Sequence, residues 1–188
     1  MQEKIEAIFK ESIRVKEDTL KINRDKIILA VKEIISAFKN NGKVLFFGNG
    51  GSAADSQHIA AEFIGRFKKE RRSLPAIALT TDSSILTCLG NDYSFDVIFA
   101  RQIEGLGQKG DIAFGISTSG HSKNVIEAVK KAKEKGLKTI SLSGGDGGAL
   151  AQLTDISIVV PSKNTARIQE SHICIAHTIC ELVEDQFS

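Results

Sequence analysis

The chain has 188 residues, 41% of them hydrophobic and 26% charged, with a formal net charge of +2. Such a length supports one compact domain with a sizeable core, and so small a charge leaves no electrostatic footprint for nucleic acid or a membrane surface. No apolar run approaches the roughly 20 residues of a spanning helix, and the N-terminus "MQEKIEAIFKESI" lacks the apolar stretch of a signal peptide, so a cytoplasmic location is expected.

Residues 1–41 are helical in period and rich in Lys and Glu. Ile27, Ile28, Val31, Ile34, Ile35 and Phe38 share a helical stripe, which Asn23 can cap and Gly42 can end. The segment therefore reads as a helical hairpin. It can cover a sheet edge within the monomer or pack against copies of itself, and a homo-oligomer is the expected state.

From residue 42 to residue 188 the pattern changes to short apolar runs separated by helical spacers: "KVLFFG", "PAIAL", "DIAFGIS", "KTISLS" and "DISIVV". Near-continuous apolar character suits strands covered on both faces, and helical spacers imply right-handed parallel crossovers. The closing stretch "TARIQESHICIAHTICELVEDQF" places Ile168, Ile173, Ala176, Ile179, Cys180 and Val183 on one face of a long amphipathic helix. The expected fold is a three-layer α/β sandwich with a five-stranded parallel sheet and an N-terminal helical extension. Cys88, Cys174 and Cys180 lack C-x-x-C spacing and read as reduced packing residues.

The stretch "VLFFGNGGSAADSQHIAAEFIGRF" carries Gly48, Gly50 and Ala53 at the G-x-G-x-x-A spacing of a dinucleotide-binding turn. That turn needs an acidic residue roughly 20 positions on, at the end of the second strand, to bind ribose hydroxyls. Here Asp82 lies 34 positions after Gly48, which argues against NAD. The third strand runs into "GISTSGHSKN", where Ser117, Thr118, Ser119 and Ser122 surround Gly120 ahead of a helix. Hydroxyls, exposed amides and a helix dipole together suit a phosphate monoester, although an ordinary Ser-rich cap has the same composition. His58 and Glu62, four apart, share a helix face whose neighbours Ile59, Phe63, Ile64 and Phe67 point to the core. They could present an imidazole and a carboxylate to a ligand or metal, or form an exposed pair. Gln169 and His177 lie among apolar residues of the last helix, where His172 reads as a buried, hydrogen-bonded histidine, whereas His121, at the phosphate loop, reads as a solvated residue.

The stretches "GNGGSAADSQHIAAEFIGRF", "LGNDYSF", "GISTSGHSKNVIEAVKKAKEKG" and "RIQESHICIAH" closely resemble the phosphoheptose isomerases of the sugar-isomerase (SIS) domain superfamily, and the likeness runs through almost the whole chain. It implies a flavodoxin-like SIS fold and an aldose–ketose isomerase converting sedoheptulose 7-phosphate to D-glycero-D-manno-heptose 7-phosphate, the first step toward activated heptoses. It also implies a cytoplasmic homotetramer with sites between subunits and one zinc ion in each. The family's zinc ligands fall on His58, Glu62, Gln169 and His177. Its substrate-binding positions fall on Asn49, Gly50, Gly51, Asn91, Asp92, Ser117, Thr118, Ser119, Ser122 and Gln169, with Ser52 and Arg66 near the pocket. Some members carry Asp where this chain has Ala166, which removes any acidic role there. A sister protein, the DnaA-initiator-associating protein, shares the fold as a non-catalytic binding partner but lacks residues matching Glu62 and His177.

Isomerising a ketose phosphate takes one base and one acid acting on neighbouring atoms. On the resemblance, Glu62 is the carbon base and His177 moves the hydroxyl proton. Gln169 and His177 are about 12 Å apart along a helix and roughly 80° around it. One ion reaching both is a strained arrangement, so a site shared between crossing helices of neighbouring subunits is expected.

Overall fold

A computed structural model describes all 188 residues. A single helix, α1 (Gln2–Lys39), opens the chain where a hairpin was expected. Asn23 sits in mid-helix and is fully buried. Its side-chain amide donates to the Thr19 carbonyl and, at 2.9 Å, to the Val159 carbonyl, while its Oδ1 accepts from the Val159 N–H at 3.2 Å. Those bonds replace a strand partner at the sheet's edge, so the residue that could cap a helix instead covers a strand.

The strands are β1 (Val44–Gly48), β2 (Ala76–Ala78), β3 (Ile112–Ser117), β4 (Lys138–Gly144) and β5 (Ile156–Val160), and all five coincide with the apolar runs. Between them lie α2 (Gly51–Ile64), α3 (Ser83–Asp92), α4 (Ile98–Leu106), α5 (Lys123–Glu134) and α6 (Gly148–Leu153), and α7 (Thr165–Glu184) follows. The sheet is wholly parallel, in the order β2-β1-β3-β4-β5. In β1 the alternation is plain: Val44 and Phe46 join a core with α1, α2 and α7, while Leu45 and Phe47 join a second core with α4, α5 and α6. Three layers result, as the apolar strands required. No helix is long and apolar enough to cross a membrane.

Aromatic rings seat α2 on this sheet. Phe63 lies 5.4 Å from Phe38 of α1 and 6.0 Å from Phe46 of β1, and Phe46 lies 5.1 Å from Phe114 of β3. Each such pair contributes about 0.5–1.5 kcal/mol beyond area burial, so the helix is held firmly to β1 and α1. Ile64, in the last turn of α2, is 50% exposed rather than core-facing. Ile28 is likewise exposed and, with the exposed Cys174, lines an open groove between α1 and α7. Cys88 is also exposed, which leaves Cys180 as the one cysteine that packs in the core.

β1 and β3 are hydrogen-bonded neighbours, but the chain leaves β1 in the direction of β2 and enters β3 from the other side. The loops after β1 and β3 therefore part company at the carboxyl edge and open a crevice, the usual ligand position of an open α/β sheet.

Candidate active site

The two loops of that crevice are "GNGGS" after β1 and "STSGHS" after β3, and an amide pair joins them. Asn49 and Asn124 exchange hydrogen bonds of 2.8 Å in both directions, with Asn124 buried. Sequence reading missed Asn124, whose only signal was its place in the first turn of a helix behind the Ser-rich loop. Ser52, in the first turn of α2, is buried too, whereas Gly50 and Gly51 are exposed. A Cβ at Gly51 would lie 2.5 Å from Nε2 of Gln169, so only glycine lets that amide close on the loop.

In the second loop the Ser117 and Ser122 hydroxyls meet at 2.9 Å, and Ser119 Oγ accepts the His121 N–H. Ser122 occupies the N-cap of α5 yet makes no capping bond, because its hydroxyl is turned to Ser117. The first amides of a twelve-residue helix are thus left for another acceptor. Gly120 has φ +68°, and its backbone is pressed against Gly147 of a third loop, "GGDGG", after β4. The Thr118 carbonyl accepts the Gly144 N–H at 3.0 Å, and a cleft opens there between Thr118, Ser119, His121, Asp146, Lys163 and Thr165. This third glycine turn was legible as a run of four glycines around one Asp, and it was overlooked. His121 is exposed, as expected of a solvated loop residue.

The second half of the site lies between two helices. Gly51 meets Gln169, His58 meets His177, and the backbone just after α2 meets Glu184, so α2 and α7 run side by side in the same direction. His58 Nε2 is 2.9 Å from Glu62 Oε1 and 3.4 Å from His177 Nε2. One ligand atom from each of the three lies within 4.8 Å of the others, which is close enough to hold one metal ion. The ring of Phe67 covers His177 at 5.2 Å, while the His58 side chain stays 48% exposed.

Glu62 and His177 converge within one chain, so this pair needs no second subunit. The reason is geometric. The eight-residue spacing from Gln169 to His177 on α7 runs alongside the seven-residue spacing from Gly51 to His58 on α2, so each side chain finds its own partner along two parallel helices. Gln169 faces the glycine loop two turns from His177 and need not reach toward it. Asn91 and Asp92 stand apart on the last turn of α3, exposed and bonded to each other at 2.8 Å. Hydrogen bonds from Asn91 and then Cys88 hold the Asp92 carboxyl below its usual range. Arg66 is exposed and pairs loosely with Glu70.

Asp55, one turn before His58, is a residue that sequence reading missed. Its Oδ2 is buried without a hydrogen-bond partner. Burial raises its pKa, and the charges of His58 and His177 partly oppose that rise. Two imidazole nitrogens and a carboxylate oxygen that come within reach of one another are a donor set that fits a metal. Behind the site, His172 is fully buried, with Nε2 3.1 Å from the Ser143 carbonyl.

The SIS domain family matches residues 8–144. Over 185 residues the chain is 56% identical to the phosphoheptose isomerase of Aquifex aeolicus, across 98% of this chain and 97% of that protein. The chain belongs to the phosphoheptose isomerases of the SIS domain family. The solved phosphoheptose isomerase of Neisseria gonorrhoeae, 47% identical, has a TM-score of 0.93 to it over 98% of both chains. The Vibrio vulnificus NanR protein, solved in complex with ManNAc-6P, shares the fold with a TM-score of 0.69 and 17% identity, over 97% of this chain and 62% of that one. Membership of this family makes the chain an aldose–ketose isomerase, in place of the non-catalytic regulator that was its competitor.

Proposed function

We propose that the chain converts sedoheptulose 7-phosphate to D-glycero-D-manno-heptose 7-phosphate through an enediol, as the first step toward activated heptoses. The observation that carries this reading is the meeting of His58, Glu62 and His177 in the helix pair that also holds Gln169 against the glycine loop. A phosphorylated sugar can then lie along the crevice. Its phosphate is received by Ser117, Thr118, Ser119, Ser122 and the free amides of α5, and its carbonyl end points toward α2 and α7. Asn49, Gly50, Gly51 and Ser52 form the wall of the glycine loop, with Asn49 and Ser52 shaping it from behind, and Asn91 and Asp92 serve the sugar hydroxyls.

Glu62 is the base at carbon 1. One of its oxygens is engaged with His58, and the other can take the proton and return it to carbon 2. His177 moves the proton between the two substrate oxygens. His58, Glu62 and His177 would hold a zinc ion, which would supply Lewis-acid stabilisation of negative charge on the substrate oxygen, while Gln169, closed on the glycine loop two turns away, is left to bind the substrate rather than the ion. We further infer a homo-oligomer, a tetramer on the family resemblance, because α1 leaves Ile5, Phe9, Ile13, Ile22 and Leu29 exposed, an apolar surface suited to a second copy.

Incubation of the purified protein with sedoheptulose 7-phosphate, followed by NMR, tests the reading: the aldose signal grows with wild type. It falls by about 10²-fold or more with Glu62→Gln, which keeps shape but removes the proton acceptor. Wild type that is folded and zinc-loaded yet leaves the ketose unchanged would refute it.

A further inference from the structure

Between α2 and α7 lies a buried ion pair that no step above uses. The side chains of Arg71 and Glu184 are 1% and 2% exposed, with Arg71 Nε 3.3 Å from Glu184 Oε1. The Arg71 guanidinium closes the carboxyl end of α2: Nη2 donates to the Glu62 carbonyl at 2.7 Å, and Nη1 donates to the carbonyls of Phe63 at 2.9 Å and Gly65 at 2.8 Å. Positive charge at a helix carboxyl terminus also suits the dipole. Glu184 takes the backbone N–H groups of Phe67, Lys68 and Lys69 at 2.8, 2.7 and 2.8 Å. Around this pair, Lys68 meets Glu181 at 2.8 Å and Lys69 meets Asp185 at 2.7 Å, both on the surface.

We propose that the Arg71–Glu184 pair is the positioning device of the metal and proton-transfer site, fixing the last turn of α2 against α7 so that Glu62 and His58 meet His177. Arg71 binds the backbone of Glu62 itself. Glu184 lies seven residues after His177, two turns along the same face of α7. A shift of α2 along α7 would separate His58 from His177; Glu184 opposes that shift through its directed bonds to the Phe67, Lys68 and Lys69 amides, and Arg71, whose Nε makes no hydrogen bond, opposes it through its charge beside Glu184 while its Nη atoms hold the end of α2. An ion pair so deeply buried is a poor device for stability, because apolar residues of similar volume often serve as well. Its fixed geometry is what apolar residues cannot supply.

The proposal rests on the reading of His58, Glu62 and His177 as the metal-binding and proton-moving group, and wild type is therefore the first arm of the test. Zinc affinity is measured by competition with a chromophoric chelator, and kcat and KM with the sugar phosphate. Wild type that neither binds zinc nor turns over would overturn the site reading, and the proposal with it. With wild type active, Arg71→Lys keeps the charge but cannot span three carbonyls, and Arg71→Met with Glu184→Leu replaces the pair by packing. Both variants are expected to fold by circular dichroism and to weaken zinc binding and lower kcat by about tenfold or more. KM should move less than about threefold, since the phosphate loop hangs on β3 and α5. A double variant that restores the melting temperature without restoring zinc affinity would carry the proposal. Variants that lose only thermal stability, and bind zinc and turn over like wild type while folded, would overturn it.

Discussion

Burial of His172 makes the protein acid-sensitive in a window set by one imidazole. The ring is fully enclosed, its Nδ1 has no partner, and its Nε2–H donates to the Ser143 carbonyl. Burial pushes its pKa down to about 4, an effect that the bond to Ser143 only partly offsets. In the unfolded chain the same group titrates near about 6.5. Its contribution to stability is therefore complete above about pH 6.5 and is lost as the pH falls toward about 4, because the unfolded chain takes a proton that the folded one refuses. The loss amounts to about 2 kcal/mol at pH 5 and about 3 kcal/mol at pH 4. Glu184 and Asp155 do not obscure this window. Backbone amides hold both carboxyls low against the upward pull of burial, and their contributions fade only below the ordinary carboxylate range. Urea unfolding of wild type and His172→Gln at about pH 7.5 and about pH 5 measures the effect, at one protein concentration because association adds to apparent stability. Wild type should lose about 2 kcal/mol more than the variant between the two conditions. Parallel losses would refute the reasoning.

Gly51→Ala places a methyl against the Gln169 amide, whose flexible end can swing away, so the fold should survive while kcat falls by about tenfold or more. Unchanged turnover would mean that the closeness of Gln169 to the loop is irrelevant to the reaction. Ser119→Ala should raise KM for the phosphorylated sugar more than it lowers kcat, since a ground-state contact to the phosphate is removed; equal KM values would move the phosphate elsewhere. Subunit exchange between Glu62→Gln and His177→Asn proteins should regain no activity, because both residues come from one chain, and recovery in mixed oligomers would contradict the geometry.

The five strands were legible because an apolar run covered on both faces is readable from its own residues, and the phosphate-type loop because hydroxyls and glycine sit together in the chain. The pairing of His58 with Glu62 was likewise local, one helical turn apart, and the 2.9 Å contact follows from periodicity. Asn23 misled for the same reason: its capping chemistry is local, whereas its partner Val159 lies 136 residues away. Cys88 and Cys174 sit in apolar patterns yet face outward, since a pattern fixes which residues share a stripe but not how wide a stripe the neighbours cover. The parallel α/β architecture, the loops that gather at one edge and the residue types of the site all follow from patterns local to the chain. That α2 and α7 lie parallel is a matter of long-range packing. That packing brings His58 to His177 across 119 residues, leaves the Asp55 oxygen without a partner and buries Arg71 on Glu184. Such relations depend on how two distant helices settle on a common sheet, a balance of aromatic packing and buried charge that no local period encodes.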